Sequence, residues 1–240
     1  MRSEVESLIN TILFDLDGTL LPIDTDEFVR GYMKALAGHA GHLVPPQLLV
    51  QQVMASTHKM IENVDPNLTN AAVFAADFFP KVGRSEAELM PVFDSFYREK
   101  FPALKATCPG IPGIAREVVQ AALDKGYEIV LATNPLFPRL AIEERMRWVG
   151  VEDMPWRLVT TYEDMCACKP RPQYYEEILR KIGRKPEECL MVGNDVDEDG
   201  IAGQLGLAVY IVTDHLIKRS DRPLPPNSGT LAEFLQQLRH

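Results

Sequence analysis

Apolar residues fall into two patterns along the chain. Short apolar runs at 11–14 (TILF), 128–132 (EIVLA), 157–160 (RLVT), 189–192 (CLMV) and 208–212 (AVYIV) predict strands. Runs of this length without polar alternation suit strands buried on both faces of a parallel sheet. Between them the period changes. Over 114–125 the apolar positions are 114, 115, 118, 119, 122 and 123, one face of a helix, and Gly126 follows as a C-cap. Stretches 140–149 and 174–182 predict helices in the same way, the second ending at Gly183. Strand alternating with helix from 110 to 212 is the pattern of βαβ units.

Residues 25–105 break that rhythm. They contain no apolar run of strand type, and helices are expected at 27–38, 46–62, 70–79 and 85–100, punctuated by glycines and prolines. This predicts an all-helical insertion between the first strand and the rest of the sheet, with 108–113 (CPGIPG) as the return hinge. The tail predicts a proline-rich extended loop at 221–228 and a short amphipathic helix at 229–240, with Leu231, Phe234, Leu235 and Leu238 inward. The expected class is therefore α/β. A Rossmann-like parallel-sheet core is formed by 1–22 and 107–240, and an all-helical cap by 23–106.

Composition narrows the function. With 240 residues, 46% of them hydrophobic, the chain can bury a substantial core. Its 25 basic against 34 acidic residues give a net charge of −9. That balance argues against a nucleic-acid partner, which needs a basic face, but allows a local basic pocket. No apolar run approaches the ~20 residues that span a bilayer, so no membrane role is expected. The first ten residues carry Glu4 and Glu6 and lack the apolar stretch of a signal peptide. Of the four cysteines, Cys166 and Cys168 are one residue apart, not at the spacing of a zinc or redox pair. Reduced thiols in a cytoplasm are the expectation.

In an open α/β sheet, ligands bind beyond the carboxyl ends of the strands. Asp15 and Asp17 follow the first predicted strand, Thr133 and Asn134 the second, and Asn194, Asp195 and Asp199 the fourth. Lys169 lies in the loop after the third. Carboxylates, a hydroxyl, amides and an ammonium thus meet on one edge. Such a set suits a hard cation such as Mg²⁺, which takes oxygen ligands from one or two carboxylates, water and phosphate. An aspartate can attack phosphorus and split hydrolysis into two steps. A cation and a lysine offset the repulsion between that carboxylate and a phosphate dianion. A second aspartate can exchange protons with the leaving group and water.

Asp15-Leu16-Asp17-Gly18-Thr19-Leu20 resembles the first motif of the haloacid dehalogenase (HAD) superfamily. Thr133 matches its second motif, Lys169 its third, and Gly193-Asn194-Asp195-Val196-Asp197-Glu198-Asp199 resembles its acidic fourth. Their order and strand-end placement agree, and the resemblance covers about residues 8–22 and 107–215. It implies Asp15 as nucleophile and Mg²⁺ ligand, and Asp17 as general acid/base with its carbonyl on the metal. Thr133 would hydrogen-bond the phosphoryl group, with Asn134 assisting, and Lys169 would neutralise it. Asp195 would bind Mg²⁺, and Asp199 would bind it through water or orient Lys169. The family often has Asp directly after the motif-four glycine. Asn194 stands there instead, and the resemblance implies that it would share or replace the metal role of Asp195.

The placement of the insertion adds to this. There are 118 residues from Asp15 to Thr133 and 36 from Thr133 to Lys169. That resembles the C1 type, in which a helical cap follows the first strand and closes over the site. The implied function is an Mg²⁺-dependent phosphatase acting on a small phosphorylated metabolite through an aspartyl-phosphate. A phosphomutase of the same fold, or a catalytically silent binding or scaffold protein, are the alternatives. In the insertion Arg30, Tyr32, His39, His42, His58 and Lys59 are expected on solvated helix faces. Phe14, Leu16 and Trp148 are expected in the core, and Arg171 in a structural or surface role.

Overall fold

The computed structural model describes residues 9–107 and 114–240. The expected hinge at 108–113 and the N-terminal residues 1–8 lie outside them.

Six parallel strands form one sheet: β1 (Thr11–Phe14), β2 (Glu128–Leu131), β3 (Leu158–Val159), β4 (Cys189–Gly193), β5 (Ala208–Val212) and β6 (Ser228–Gly229), in the order β3-β2-β1-β4-β5-β6. β1 is central, and the strand order reverses beside it. That reversal is where a crevice opens at the carboxyl edge of such a sheet. The two-residue pleat explains the unbroken apolar run of β1. Ile12 and Phe14 pack into one cluster, with Ile129, Leu131, Val192 and Tyr210. Leu13 packs into the cluster on the other face, with Val130 and Met191.

Helices cover both faces. On the first lie α5 (Ile114–Asp124), α6 (Arg139–Trp148) and α8 (Leu231–Arg239), which bring Val118, Ile142 and Phe234. On the second lies α7 (Pro172–Ile182), with Tyr174, Tyr175 and Ile178. α8 starts from a capping box in which Thr230 and Glu233 exchange hydrogen bonds with each other's backbone N–H groups.

Between β1 and α5 stand α1 (Thr25–Ala40), α2 (Pro46–Glu62), α3 (Asn70–Val82) and α4 (Glu86–Glu99). This insertion is helical, as its sequence predicts, but two of its helices run past the expected ends. α1 continues through Gly38 because Ala37 and Ala40 are buried. α3 continues through Pro80 because Phe78, Phe79 and Val82 are buried, and it ends at Gly83 in the left-handed region. The 221–228 loop also closes differently. Its last residue joins β6, which pairs with β5.

The insertion is laced to the core. Asn70 donates its backbone N–H to the Met165 carbonyl (2.8 Å) and its side-chain amide to Pro135 O (3.3 Å). Asn63 donates to Cys166 O (2.9 Å), and Arg171 donates Nε–H to Ile61 O (2.5 Å). Arg171 is thus structural, a clamp between the loop before α7 and the end of α2. Tyr32 departs from expectation. It is 5% exposed, and its hydroxyl bonds that of Tyr97 at 2.8 Å. Phe28 on α1 and Phe96 and Tyr97 on α4 hold the ring in the interior, and the sequence pattern around it carries no mark of them. Arg30, His42, His58 and Lys59 are exposed. No helix among the described residues is long and apolar enough to cross a membrane.

Candidate active site

The backbone turns sharply where β1 ends. Asp15 N–H still donates to Val192 O in β4 (2.9 Å), which extends the sheet ladder by one residue and fixes the carboxylate at its edge. Leu21 N–H then returns to Leu16 O (2.8 Å), closing a loop that needs φ +78° at Gly18. Any β-carbon there would also collide with the Asn194 side chain. Gly193 is constrained likewise, because a β-carbon would fall on the Asp199 carboxylate. Gly18 thus lets the first and fourth motifs approach each other, and Gly193 lets the fourth fold back on itself.

One pocket of about 140 Å³ is lined by Asp15, Asp17, Thr133, Asn134, Lys169, Asn194, Asp195 and Asp199, all eight of the residues singled out in the sequence. Lys169, 1% exposed, donates to Asp15 Oδ1 at 2.9 Å and to Asp199 Oδ1 at 2.6 Å. Asp199 therefore orients the lysine. Burial pushes the Asp15 carboxyl up to about 7, against the pull of Lys169, and Asp199 and Asp17 add to the rise. Burial alone would lower Lys169, but Asp15 and Asp199 outweigh it and hold the ammonium well above the ordinary lysine range. Thr133 is held through its carbonyl, which accepts from the Tyr174 hydroxyl (2.8 Å) and the Thr160 hydroxyl (2.7 Å). Asn134 is engaged within the protein. Its Oδ1 accepts from Lys169 N–H (3.2 Å), and its Nδ2 donates to Glu198 (3.1 Å).

The fourth motif is braced internally. Asp195 Oδ1 accepts from the backbone N–H groups of Asp197 (2.8 Å) and Glu198 (3.0 Å), and its Oδ2 from Arg219 (2.5 Å). Asn194 points differently. Its Nδ2 donates to His215 O (2.6 Å), which turns Oδ1 toward Thr19. The Thr19 hydroxyl lies 3.3 Å from both Asn194 Oδ1 and Asp15 Oδ2. A buried, oxygen-only pair thus faces one hydroxyl, a donor set suited to a hard cation such as Mg²⁺. Among the described residues no three His, Cys, Asp or Glu side chains cluster to hold a metal ion. Arg219 pairs with Asp195, and Lys169 with both Asp199 and Asp15.

Two residues at this site escape the sequence reading. Arg219 lines the pocket from the loop after β5, and nothing sets it apart in a basic surface run. Arg145, on α6, is wholly buried and forms an ion pair with Asp17 Oδ2. Its guanidinium lies 4.5 Å from the Phe137 ring centroid. Asp17 Oδ1 and Arg145 Nη2 are buried without a partner. The signal for Arg145 lies in its spacing, since it falls on the stripe of Ile142 and Val149, where a solvated arginine would not.

Comparison with known proteins decides the family. A model of haloacid dehalogenase-like hydrolases matches residues 9–206. The chain belongs to the haloacid dehalogenase-like hydrolase family. It is 28% identical to the pyrophosphatase PpaX of Bacillus cereus over 197 residues, 82% of this chain and 79% of that one. The fold is shared with CbbY from Rhodobacter sphaeroides, solved with phosphate, at TM-score 0.58, 18% identity and coverage of 94% and 96% of the two chains. It is shared equally with L-2-haloacid dehalogenase from Xanthobacter autotrophicus, at TM-score 0.56, 15% identity and coverage of 96% and 98%. Within this HAD-like family one fold therefore carries different chemistries, and the site residues have to separate them.

Proposed function

We propose that this HAD-like hydrolase is an Mg²⁺-dependent phosphatase of small phosphomonoesters, with the helical insertion (23–106) as its cap. The observation that carries the reading is Asp15 buried at the end of β1 against Lys169, with Asp17 in the same pocket. Dehalogenation has no need of a second acid beside the nucleophile, whereas ester hydrolysis has to protonate an alkoxide. The PpaX relatives are named as pyrophosphatases, which is consistent with phosphoryl chemistry in this branch.

In the proposed reaction a carboxylate oxygen of Asp15 attacks phosphorus, and the phosphorus–oxygen bond to the alcohol breaks. Asp17 gives its proton to the departing alkoxide. Its Oδ1 is the oxygen free to carry that proton, since Oδ2 is held by Arg145. Water then attacks the aspartyl-phosphate, Asp17 takes up the water's proton, and inorganic phosphate leaves with Asp15 restored. Lys169 and the Thr133 hydroxyl hold the phosphoryl oxygens, and Asn134 positions the Lys169 backbone. The Asp15 carboxylate, the Asp17 carbonyl and Asn194 Oδ1 would hold Mg²⁺. Asp195 braces the loop and Asp199 orients Lys169. Bound there, Mg²⁺ supplies charge neutralisation between the nucleophile and the phosphoryl group.

The test is phosphate release from a panel of phosphomonoesters, measured with Mg²⁺, with EDTA, and with Asp15→Asn. The expected result is release that needs Mg²⁺ and falls at least ~10³-fold in the variant. Release that survives Asp15→Asn would refute the nucleophile. Isomerised product without phosphate release would point to a mutase.

A further inference from the structure

The insertion encloses a second cavity, of about 350 Å³, beside the strand-end pocket. Its walls come from all four inserted helices, including Met33, Val53, Phe74 and Met90, and from the loop after β2. Val29, Leu136 and Phe137 line both spaces, so the two are neighbours across a shared apolar wall.

The two spaces differ in chemistry. The strand-end pocket holds Lys169 and Arg219. None of the described residues lining the larger cavity is Lys, Arg or His, and its charged residues are Glu86, Asp94 and Glu163. A second phosphate or a carboxylate placed there would leave water for an apolar wall with exposed carboxylates at its rim and no cation, which is costly. A sugar would present hydroxyls to a wall that is mostly aliphatic and aromatic. Of the three tyrosines on that wall, Tyr32 and Tyr97 already bond each other through their hydroxyls at 2.8 Å, which leaves only the Tyr162 and Thr57 hydroxyls to meet a sugar's several. An apolar group meets neither penalty and gains from every surface it buries. The space is ample, since an apolar cavity of ~150 Å³ already admits benzene.

We infer that the larger cavity receives the alcohol portion of the substrate, and that the substrate is a phosphomonoester of an apolar alcohol, aryl or medium-chain alkyl. The inference rests on the phosphatase reading above and names its substrate class. The phosphoryl group sits at Lys169, the ester oxygen lies at the shared wall, and the carbon skeleton extends past Phe137. The bond broken and the protons moved are those already described.

The test is kcat/KM for ethyl, butyl, hexyl and 1-naphthyl phosphate against phosphoglycolate, glucose 6-phosphate and pyrophosphate, with Mg²⁺. Wild type is compared with Asp15→Asn and Ala75→Phe, the latter filling the cavity from α3. Each methylene from ethyl to hexyl should raise kcat/KM about fourfold, and 1-naphthyl phosphate should exceed phosphoglycolate, glucose 6-phosphate and pyrophosphate. Ala75→Phe should flatten the chain-length slope. Release that depends on Asp15 but shows no slope, or that favours pyrophosphate or phosphoglycolate, overturns the cavity assignment and leaves the phosphatase reading standing. No release from any ester sinks the phosphatase reading instead. The cavity is then judged by fluorescence titration with 1-naphthol. Saturable binding that weakens at least ~10-fold in Ala75→Phe supports it, and no saturable binding overturns it. Should Ala75→Phe fail to fold, the wild-type slope and the wild-type titration decide.

Discussion

Asp15 and Asp17 lie on one turn, and each meets a buried cation from a distant part of the chain. The two arrangements differ in how the cation is compensated. Lys169 donates to two carboxylates, at 2.9 Å and 2.6 Å, and its ammonium stands 5.8 Å from the Tyr174 ring centroid. Arg145 has one carboxylate, Asp17, and a backbone acceptor at Ala141 O (3.3 Å), with the rings of Phe137 and Phe28 completing its surroundings. The first group is a negative excess around one cation, able to accept further positive charge. The second is one carboxylate against one cation, walled by aromatic faces. In the proposed reaction this matches two tasks. Asp15 works where charge is redistributed, whereas Asp17 has to be held at a fixed place while its proton comes and goes. Through Phe137 the second group also touches the wall of the apolar cavity, which links the acid/base residue to the substrate's carbon skeleton.

Removing each cation tests that division. Lys169→Met leaves Asp15 and Asp199 buried together without a counter-charge. Turnover should fall about 10³-fold, the scale of losing a charge-stabilising donor from an active site. A loss below tenfold would mean that the first group is structural. Arg145→Met should act mainly on stability. It strands the Asp17 carboxylate without its partner, and chemical unfolding should show a loss of about 3 kcal/mol, while turnover falls less than in Lys169→Met. Arg145→Lys should not restore it, because an ammonium cannot reach a carboxylate and lie flat on Phe137 at once. Full rescue by lysine would show that charge alone matters there.

The same contrast explains what was legible in the sequence. The Lys169 group could be expected because each member stands in the loop that follows an apolar run, and a parallel sheet brings strand ends to one edge. The DxDGT turn is legible for the same reason, with Gly18 marking the tight approach of Asn194. Arg145 is different. It lies inside a helix whose charged residues read as solvated, and only its register with Ile142 and Val149 betrays it. The sequence also left open which fourth-motif residue serves which partner. That depends on the hydrogen bonds of Asp195 to its own loop and of Asn194 to His215 O, which are set by how the loop after β5 folds back. The apolar cavity is further out of reach. A void is what four helices fail to fill, and it follows from their packing, not from any residue's type. Tyr32 illustrates this, being polar by type yet buried by its neighbours.

The aromatic partners separate the two groups more finely. Phe137→Leu keeps an apolar wall but removes the ring nearest the Arg145 guanidinium. A desolvated cation–π contact of this kind contributes about 2 kcal/mol. Unfolding should register that loss, with slower turnover on 1-naphthyl phosphate, because the same side chain lines both spaces. An unchanged stability would mean that Phe28 alone suffices to shield Arg145.

Tyr174→Phe makes the complementary change beside Lys169 and should have the smallest effect. The ring stays, so the contact with the ammonium is kept. Only the hydroxyl is lost, and with it a 2.8 Å hydrogen bond to Thr133 O. That carbonyl still accepts from Thr160 at 2.7 Å, so it is not left bare in the interior. The expected cost is therefore about 1 kcal/mol in unfolding, with turnover within about twofold of wild type. Thr133 and Lys169 would then be held by redundant contacts, unlike Arg145, whose one carboxylate has no substitute. A tenfold fall in turnover would contradict this. It would mean that the Tyr174 hydroxyl sets the angle of Thr133 toward the phosphoryl group.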